Sequence, residues 1–228
     1  MLKKKCLYPV AVPIGNFDDF TLRAIQTLKD ADLIIGEERA TTERILKRLQ
    51  IQNKEIIILN EHNEKTEAKN ILNYIVKQNY SAAMISEAGT PSVADPGAIL
   101  INMFHQNNLS VIPIPGVSSI MTALMVAGNE NYNASYKYVG FLSQKKEIRQ
   151  KELKELNLEK IPIIILDTPY RMKPLLKDIK AICGNQKKIV FTYKLTQPEE
   201  FIIKSNITDV IAKTENLKKG EFVVIMLP

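Results

Sequence analysis

The sequence predicts an α/β protein of two domains, a parallel-sheet domain over residues 1–115 and a mixed-sheet domain over residues 116–228. Three observations predict it. Short apolar runs alternate with segments of helical period from Leu7 to Ile114, which is the pattern of a parallel sheet covered by helices on both faces. The twelve residues Ser86 to Gly97 link a strand to a helix, and they are longer and more polar than the usual connection of about 2–6 residues. Beyond Pro115-Gly116 the alternation loosens and the charge balance changes.

Leu7 to Val12 reads as the first strand, ended by the turn Pro13-Ile14-Gly15-Asn16. Leu22, Ile25 and Leu28 then recur at helical spacing, with Asp19 or Thr21 as the N-cap. Asp32 to Ile35 is the second strand, and the helix after it begins near Thr41 or Thr42 with Ile45, Leu46 and Leu49 on one face. Ile56 to Leu59 is the third strand, and Glu64 to Gln78 a helix carrying Ala68, Ile71, Leu72, Ile75 and Val76. Ala82 to Ile85 is a buried strand, Ala98 to Gln106 a helix, and Leu109 to Ile114 a last strand. The second half reads as helix 118–127, strand 137–141, helix 145–156, strand 161–167 and helix 170–182. Strands near 188–192, 200–204 and 221–226 follow, two of them joined as a hairpin through Lys194 to Glu199. In the helix 145–156, Ile148, Leu153 and Leu156 are expected to face the core, with Lys145, Lys146 and Arg149 in solvent.

The central loop carries two glycines, Gly89 and Gly97, and two prolines, Pro91 and Pro96. Glycine frees the backbone and proline fixes it, so a ligand here would rest on main chain. In a parallel sheet, loops leaving the carboxyl ends of strands are where ligands bind.

Composition narrows the class. The longest apolar runs, such as Ile161 to Leu166, fall far short of the roughly 20 residues of a membrane-spanning helix. The run after Lys3-Lys4-Lys5 is interrupted by prolines and has no cleavage site, so a cytoplasmic protein is expected. Cys6 and Cys183 are the only cysteines and His62 and His105 the only histidines, which excludes a disulfide framework, the common zinc motifs and any expected metal. No Gly-x-Gly occurs, so the dinucleotide fingerprint is missing, as is the P-loop. Residues 1–115 carry 13 basic and 13 acidic side chains; the remaining 18 and 12 put the whole surplus of +6 into 116–228. A basic half beside a neutral one suits a polyanionic partner.

Ser86-Glu87-Ala88-Gly89-Thr90-Pro91…Asp95-Pro96-Gly97 resembles the Ser-Asp-Ala-Gly-Thr-Pro…Asp-Pro-Gly signature of the tetrapyrrole (corrin/porphyrin) methylase superfamily, in its branch of ribosomal RNA small-subunit methyltransferases. Glu87 stands where that branch usually has Asp. Further segments are similar in order along the whole chain. They are Val12-Pro13-Ile14-Gly15-Asn16 with Thr21-Leu22-Arg23-Ala24, Gly36-Glu37-Glu38-Arg39, and Pro115-Gly116-Val117-Ser118-Ser119 with Thr122-Ala123-Leu124. Gly140-Phe141-Leu142-Ser143 and Asp167-Thr168-Pro169-Tyr170-Arg171 follow, the latter where the branch has Glu-Ser-Pro-His-Arg, and then Lys194-Leu195-Thr196 and Lys219-Gly220-Glu221. The sequence ends at Pro228, short of a further C-terminal segment usual in that branch.

The resemblance implies two α/β domains with S-adenosylmethionine in the cleft between them, and an enzyme that methylates the 2′-hydroxyl of a cytidine ribose in small-subunit ribosomal RNA. It implies cofactor contacts at Pro13, Gly15, Glu87, Ala88, Gly89, Thr90, Ser118, Ser119, Thr168 and Leu195. Backbone amides and small hydroxyls suit an adenine and a zwitterionic methionine end, although Ser118 and Ser119 also compete as helix N-caps. Positioning the acceptor oxygen supplies much of the rate, but a base must take the hydroxyl proton. Glu37, Glu38 and Lys194 are the candidates, each with a competing role in a salt bridge. Arg39 and Arg171 suit phosphate contacts because a guanidinium fork matches phosphate, and Lys145 and Arg149 extend that RNA grip. The partners implied are ribosomal RNA or the assembled small subunit, and a second copy in a homodimer. Two alternatives stand beside this: a small-molecule methylase of tetrapyrroles or corrins, and a non-catalytic RNA- or ribosome-binding protein on the same fold.

Overall fold

A computed structural model describes residues 2–128 and 135–228. The chain divides into two compact units, Met1–Ser118 and Ser119–Pro228, the division falling just beyond Pro115-Gly116.

The first unit holds five strands: β1 (Cys6–Pro9), β2 (Leu33–Gly36), β3 (Glu55–Ile58), β4 (Ser81–Met84) and β5 (Ser110–Val111). They form one sheet in the order β3-β2-β4-β1-β5, and every pairing is parallel. Its four helices are α1 (Leu22–Asp30), α2 (Arg39–Arg48), α3 (Glu64–Gln78) and α4 (Ala98–Gln106). Because successive strand residues point to opposite faces, the apolar runs divide cleanly. Cys6, Tyr8, Ile34 and Ala83 pack with Ala24 and Leu28 of α1 and Ile45 and Leu46 of α2. Leu7, Leu33, Ile35, Ala82 and Met84 pack with Ile71 and Ile75 of α3 and Leu100 and Phe104 of α4. Both faces are covered, which is why these strands read as continuous apolar runs.

Two expectations are corrected here. Leu22 is 86% exposed, and α1 instead buries Ala24, Thr27 and Leu28; Thr21 is the cap, accepting from the Ala24 amide at 3.0 Å. Helix α2 begins at Arg39, earlier than Thr41, because the Glu38 carbonyl accepts both the Thr42 amide and the Thr42 hydroxyl.

The second unit holds α5 (Ser119–Met125), β6 (Lys137–Phe141), α6 (Lys146–Leu156), β7 (Ile163–Asp167), α7 (Met172–Cys183), β8 (Lys188–Tyr193), β9 (Phe201–Asn206), α8 (Ile207–Thr214) and β10 (Phe222–Met226). The sheet order is β6-β7-β10-β8-β9. Only β6 and β7 run parallel, and the other pairs, including the β8–β9 hairpin, are antiparallel. The sheet is therefore mixed. One face packs Ile163, Ile165, Phe191 and Val224 against Leu153, Leu175, Ile179 and Val210 of α6, α7 and α8.

Helix α8 lies in a stretch where the sequence predicts only a connection between strands. Its signals are Asn206, whose side chain accepts from the Asp209 amide at 2.9 Å, and Ile207, Val210 and Thr214 at helical spacing. The buried stripe of α6 also differs from the expected one. It is Arg149, Leu153 and Leu156, at intervals of four and three, while Ile148 is 45% exposed. A basic residue takes the core position because α7 offers it Asp178.

Candidate active site

The carboxyl ends of the first unit's parallel strands gather its candidate site residues. Past β1, Val12 and Gly89 exchange both main-chain hydrogen bonds, at 2.8 and 3.0 Å. This joins the Pro13–Asn16 turn to the loop after β4. Gly89 sits at φ 76°, a conformation that favours glycine, and a Cβ there would stand 3.3 Å from Ile14 Cγ2, a tight contact from which that side chain would have to give. Thr90 Oγ1 donates to the Val117 carbonyl at 3.2 Å, and Ser86 Oγ donates to the Ala88 carbonyl at 3.1 Å. The loop's far end is held by Glu64, the first residue of α3, whose Oε1 accepts from the Gly97 and Ile99 amides at 2.8 Å each. A carboxylate at the N-terminus of α4 satisfies orphan donors and opposes the helix dipole. Within this unit, Pro13 and Gly15 are thus brought beside Glu87, Ala88, Gly89 and Thr90.

Carboxylates gather at the same edge. Glu37 follows β2, and its titration is pushed up to about 7 by burial first, then by the charges of Asp95 and Glu87, while an amide hydrogen bond from Glu87 pulls the other way. Asp95 is pushed up to about 6, by burial and by Glu87, against a hydrogen bond from Ser86. Like charges sharing a half-buried site favour a proton on one of them. Glu38 is differently placed, accepting from the Thr41 hydroxyl at 2.7 Å at the start of α2. Arg39 is exposed, 3.4 Å from Glu43 and donating to the Ile56 carbonyl.

In the second unit, taken by itself, candidate residues lie at the ends of the parallel pair β6–β7. Asp167 ends β7, its Oδ1 accepting from the Thr168 amide at 2.7 Å and lying 3.2 Å from Arg171 Nε. Arg171 Nη2 donates to the Leu142 and Ser143 carbonyls, both at 2.9 Å. Arg149 Nη1 donates to the Ser143 and Gln144 carbonyls at 3.1 Å, while its Nε and Nη2 reach Asp178 at 2.8 and 2.6 Å. Two guanidiniums therefore fasten the segment after β6. Arg149 is only 6% exposed, which corrects its expected place in solvent: fixed to an acidic partner and two carbonyls, it is part of the frame. Lys145 is exposed at the start of α6.

Lys194 and Leu195 lie in the β8–β9 connection, where Lys194 and Thr196 take φ 47° and 67°. Left-handed backbone at a β-branched residue is strained and marks functional loops. The turn is held by Thr196 N on Glu200 at 2.7 Å and Lys194 Nζ on Glu199 at 3.3 Å. Leu195 is buried, Thr168 exposed, and Ser119 opens α5 directly after Ser118. Asp95 and Glu64 in the first unit, and Asp178 in the second, hold candidate segments in place without having been expected from the sequence. Asp95 stands inside the motif and is legible as its one other carboxylate; the other two act through contacts made far along the chain.

No group of residues that could hold a metal ion is found among the described residues, and no helix among them is long and apolar enough to cross a membrane.

The pattern that defines the Tetrapyrrole (Corrin/Porphyrin) Methylases matches residues 6–211. The chain is similar to ribosomal RNA small subunit methyltransferase I of Halalkalibacterium halodurans, 34% identical over 98% of this chain and 76% of the relative. It is also similar to that of Mesomycoplasma conjunctivae, 33% identical over 99% and 92%, and of Bacillus subtilis, 33% over 96% and 74%. Among solved structures, it resembles a cobalt precorrin-4 methyltransferase of cobalamin biosynthesis with a TM-score of 0.69 and 16% identity, over 97% of this chain and 95% of that one. A uroporphyrin-III C-methyltransferase from Thermus thermophilus, complexed with S-adenosylhomocysteine, gives 0.67 and 14%, with 96% of each chain covered. At these identities the solved structures speak for the fold.

Proposed function

The chain belongs to the tetrapyrrole (corrin/porphyrin) methylases, and from that premise we propose that it is the S-adenosylmethionine-dependent enzyme that methylates a cytidine 2′-hydroxyl in small-subunit ribosomal RNA. The observation that carries the substrate class is the match, along nearly the whole chain at about one third identity, to relatives named for small-subunit ribosomal RNA. The basic surplus of residues 116–228 supports it.

The residues present fit the cofactor. S-adenosylmethionine supplies an electrophilic methyl group on a cationic sulfonium, and the edge formed by Glu37, Glu87 and Asp95 is the sign of charge that welcomes a cation. Main chain at Gly89 and Thr90, with Pro13, Gly15, Glu87 and Ala88, would hold it, and the resemblance adds Ser118, Ser119, Thr168 and Leu195 as contacts. Glu37 is the general base in this reading. A carboxyl titrating near 7 is matched to proton transfer at neutral pH, whereas Glu38 is spent on the Thr41 hydroxyl and Lys194 on Glu199. Glu37 takes the ribose proton on its carboxylate as the oxygen attacks. Arg39 and Lys145, both exposed, contact phosphates, while Arg171, held by Asp167 and the Leu142 and Ser143 carbonyls, belongs to the frame; the enzyme works as a cytoplasmic homodimer.

The test is methyl transfer from labelled cofactor to assembled small subunits, naked ribosomal RNA and tetrapyrrole precursors, side by side. Label on the 2′-oxygen of a cytidine is expected. Label on the tetrapyrrole alone makes the small-molecule reading correct, and cofactor binding without transfer to any of the three makes the chain a binding protein. Light scattering at 25.8 kDa across a wide concentration range refutes the dimer.

A further inference from the structure

Two large aromatics stand in solvent at the ends of adjacent parallel strands of the second unit. Phe141, the last residue of β6, is 50% exposed, and Tyr170, just past β7, is 73% exposed. They are neighbours through their frame: Phe141 precedes Leu142, Tyr170 precedes Arg171, and the Arg171 guanidinium is bonded to the Leu142 carbonyl at 2.9 Å. A single exposed aromatic means little. Here both backbones are fixed, by Arg171 on Asp167 and by Arg149 on Ser143 and Gln144.

A cation completes the arrangement. Lys219 Nζ lies 4.2 Å from the centroid of the Tyr170 ring, and its position is built in. The Tyr193 hydroxyl donates to the Lys218 carbonyl at 3.1 Å, and Gly220 lies so close to the Tyr193 ring that a Cβ would meet Cε2 at 2.6 Å. The segment carrying Lys219 is thus pinned on both sides of it.

We infer that Tyr170, backed by Lys219 and with Phe141 exposed at the end of the neighbouring strand, is a stacking platform for an unpaired base of single-stranded RNA. The inference rests on the proposed RNA reading and deepens it by assigning where the strand lies. An exposed aromatic ring with an ammonium over one face, on the half of the chain that carries the whole positive surplus, joins the two elements that hold single strands, a second π face for a base and a cation for the backbone. An unpaired base of a loop or bulge can be splayed out and stacked on an aromatic side chain, which replaces the stacking it gives up.

The experiment uses the whole protein and a short cytidine-containing RNA oligonucleotide. The chain has no tryptophan, so Tyr170→Trp places one reporter at the platform. Its emission should be quenched as RNA binds, and Tyr170→Phe should bind like the parent. Tyr170→Ala should weaken binding by about 5- to 150-fold, and Lys219→Ala should lower the log–log salt slope by about 0.7. Anisotropy of labelled RNA, circular dichroism and thermal melts accompany each variant, so that unfolding is separated from weakened binding. RNA binding without quenching in Tyr170→Trp, or undiminished binding in Tyr170→Ala, overturns the platform and leaves the enzyme reading standing. Equal quenching by polyglutamate also overturns it, since the patch would then read charge alone. If the parent neither binds this RNA nor methylates small subunits, the RNA reading falls and the platform falls with it.

Discussion

Replacing Asp178 by Ala tests whether the Arg149 pair is structural. Both side chains are 7% exposed, and Asp178 Oδ2 receives two guanidinium donors at 2.6 and 2.8 Å while Oδ1 receives Gln150 at 2.9 Å. Removing the carboxylate strands a buried cation, which costs about 3–5 kcal/mol. Removing both charges with Arg149→Met and Asp178→Leu relieves that penalty. It still leaves the Gln144 carbonyl without that donor, at about 1–3 kcal/mol if water fails to reach it, while the Ser143 carbonyl keeps Arg171 Nη2. The double variant is therefore expected to be no less stable than Asp178→Ala alone, far from the sum of the single losses. Hydrogen exchange at the Val190 and Val224 amides, in central strands of the second unit, reads that unit without the other. A loss below about 1 kcal/mol for Asp178→Ala, or strict additivity in the double variant, refutes the reasoning.

Glu37→Gln should abolish methyl transfer, remove the rise in parental activity through about pH 7, and stabilise the fold. A carboxyl raised from 4.5 to about 7 in the folded state contributes stability that is complete below the unfolded value and is lost as pH climbs through the folded one. The thermal advantage of Glu37→Gln should accordingly be absent at pH 4, grow towards pH 7 and stay level above it; a constant difference across that range contradicts the shift. Gly220→Ala should cost about 1–3 kcal/mol by overpacking against the Tyr193 ring, read as a lower thermal midpoint; an unchanged midpoint would show that the ring yields. Lys145→Glu with Lys146→Glu, both exposed on α6, should weaken small-subunit binding and flatten its salt slope by about one unit for each phosphate no longer held; an unaltered slope assigns that end of the helix to plain solvation.

The elements whose signals are local are legible in the sequence. Helices α3 and α4 fall on the predicted residues, Glu64–Gln78 and Ala98–Gln106, because their apolar period runs unbroken between polar flanks. The parallel order of the first sheet follows from alternation of strand and helix. What escapes depends on partners distant in the chain. Arg149 looks like a solvent residue until Asp178, 29 positions on, is seen to accept it. The raised titration of Glu37 arises first from burial and then from Asp95 and Glu87, which lie about 50 or more residues away and are brought near only by strand order. Helix α8 escapes for another reason: its eight residues are short, and the Asn206 cap reads as loop.

The loop after β4 is moored at three points on different elements. The Ile85 amide is bonded to Ile35 in β2, Gly89 to Val12 past β1, and the Gly97 and Ile99 amides to Glu64 in α3. Ser92 and Ala94, at φ 63° and 64°, are left-handed positions outside glycine that such moorings must hold in place. The shape of this segment is accordingly fixed when the sheet assembles, and its conformational entropy is surrendered during folding. A molecule captured there has little left to order, so its arrival should be a single-step encounter with no slower rearrangement behind it, and its departure rate should set the affinity.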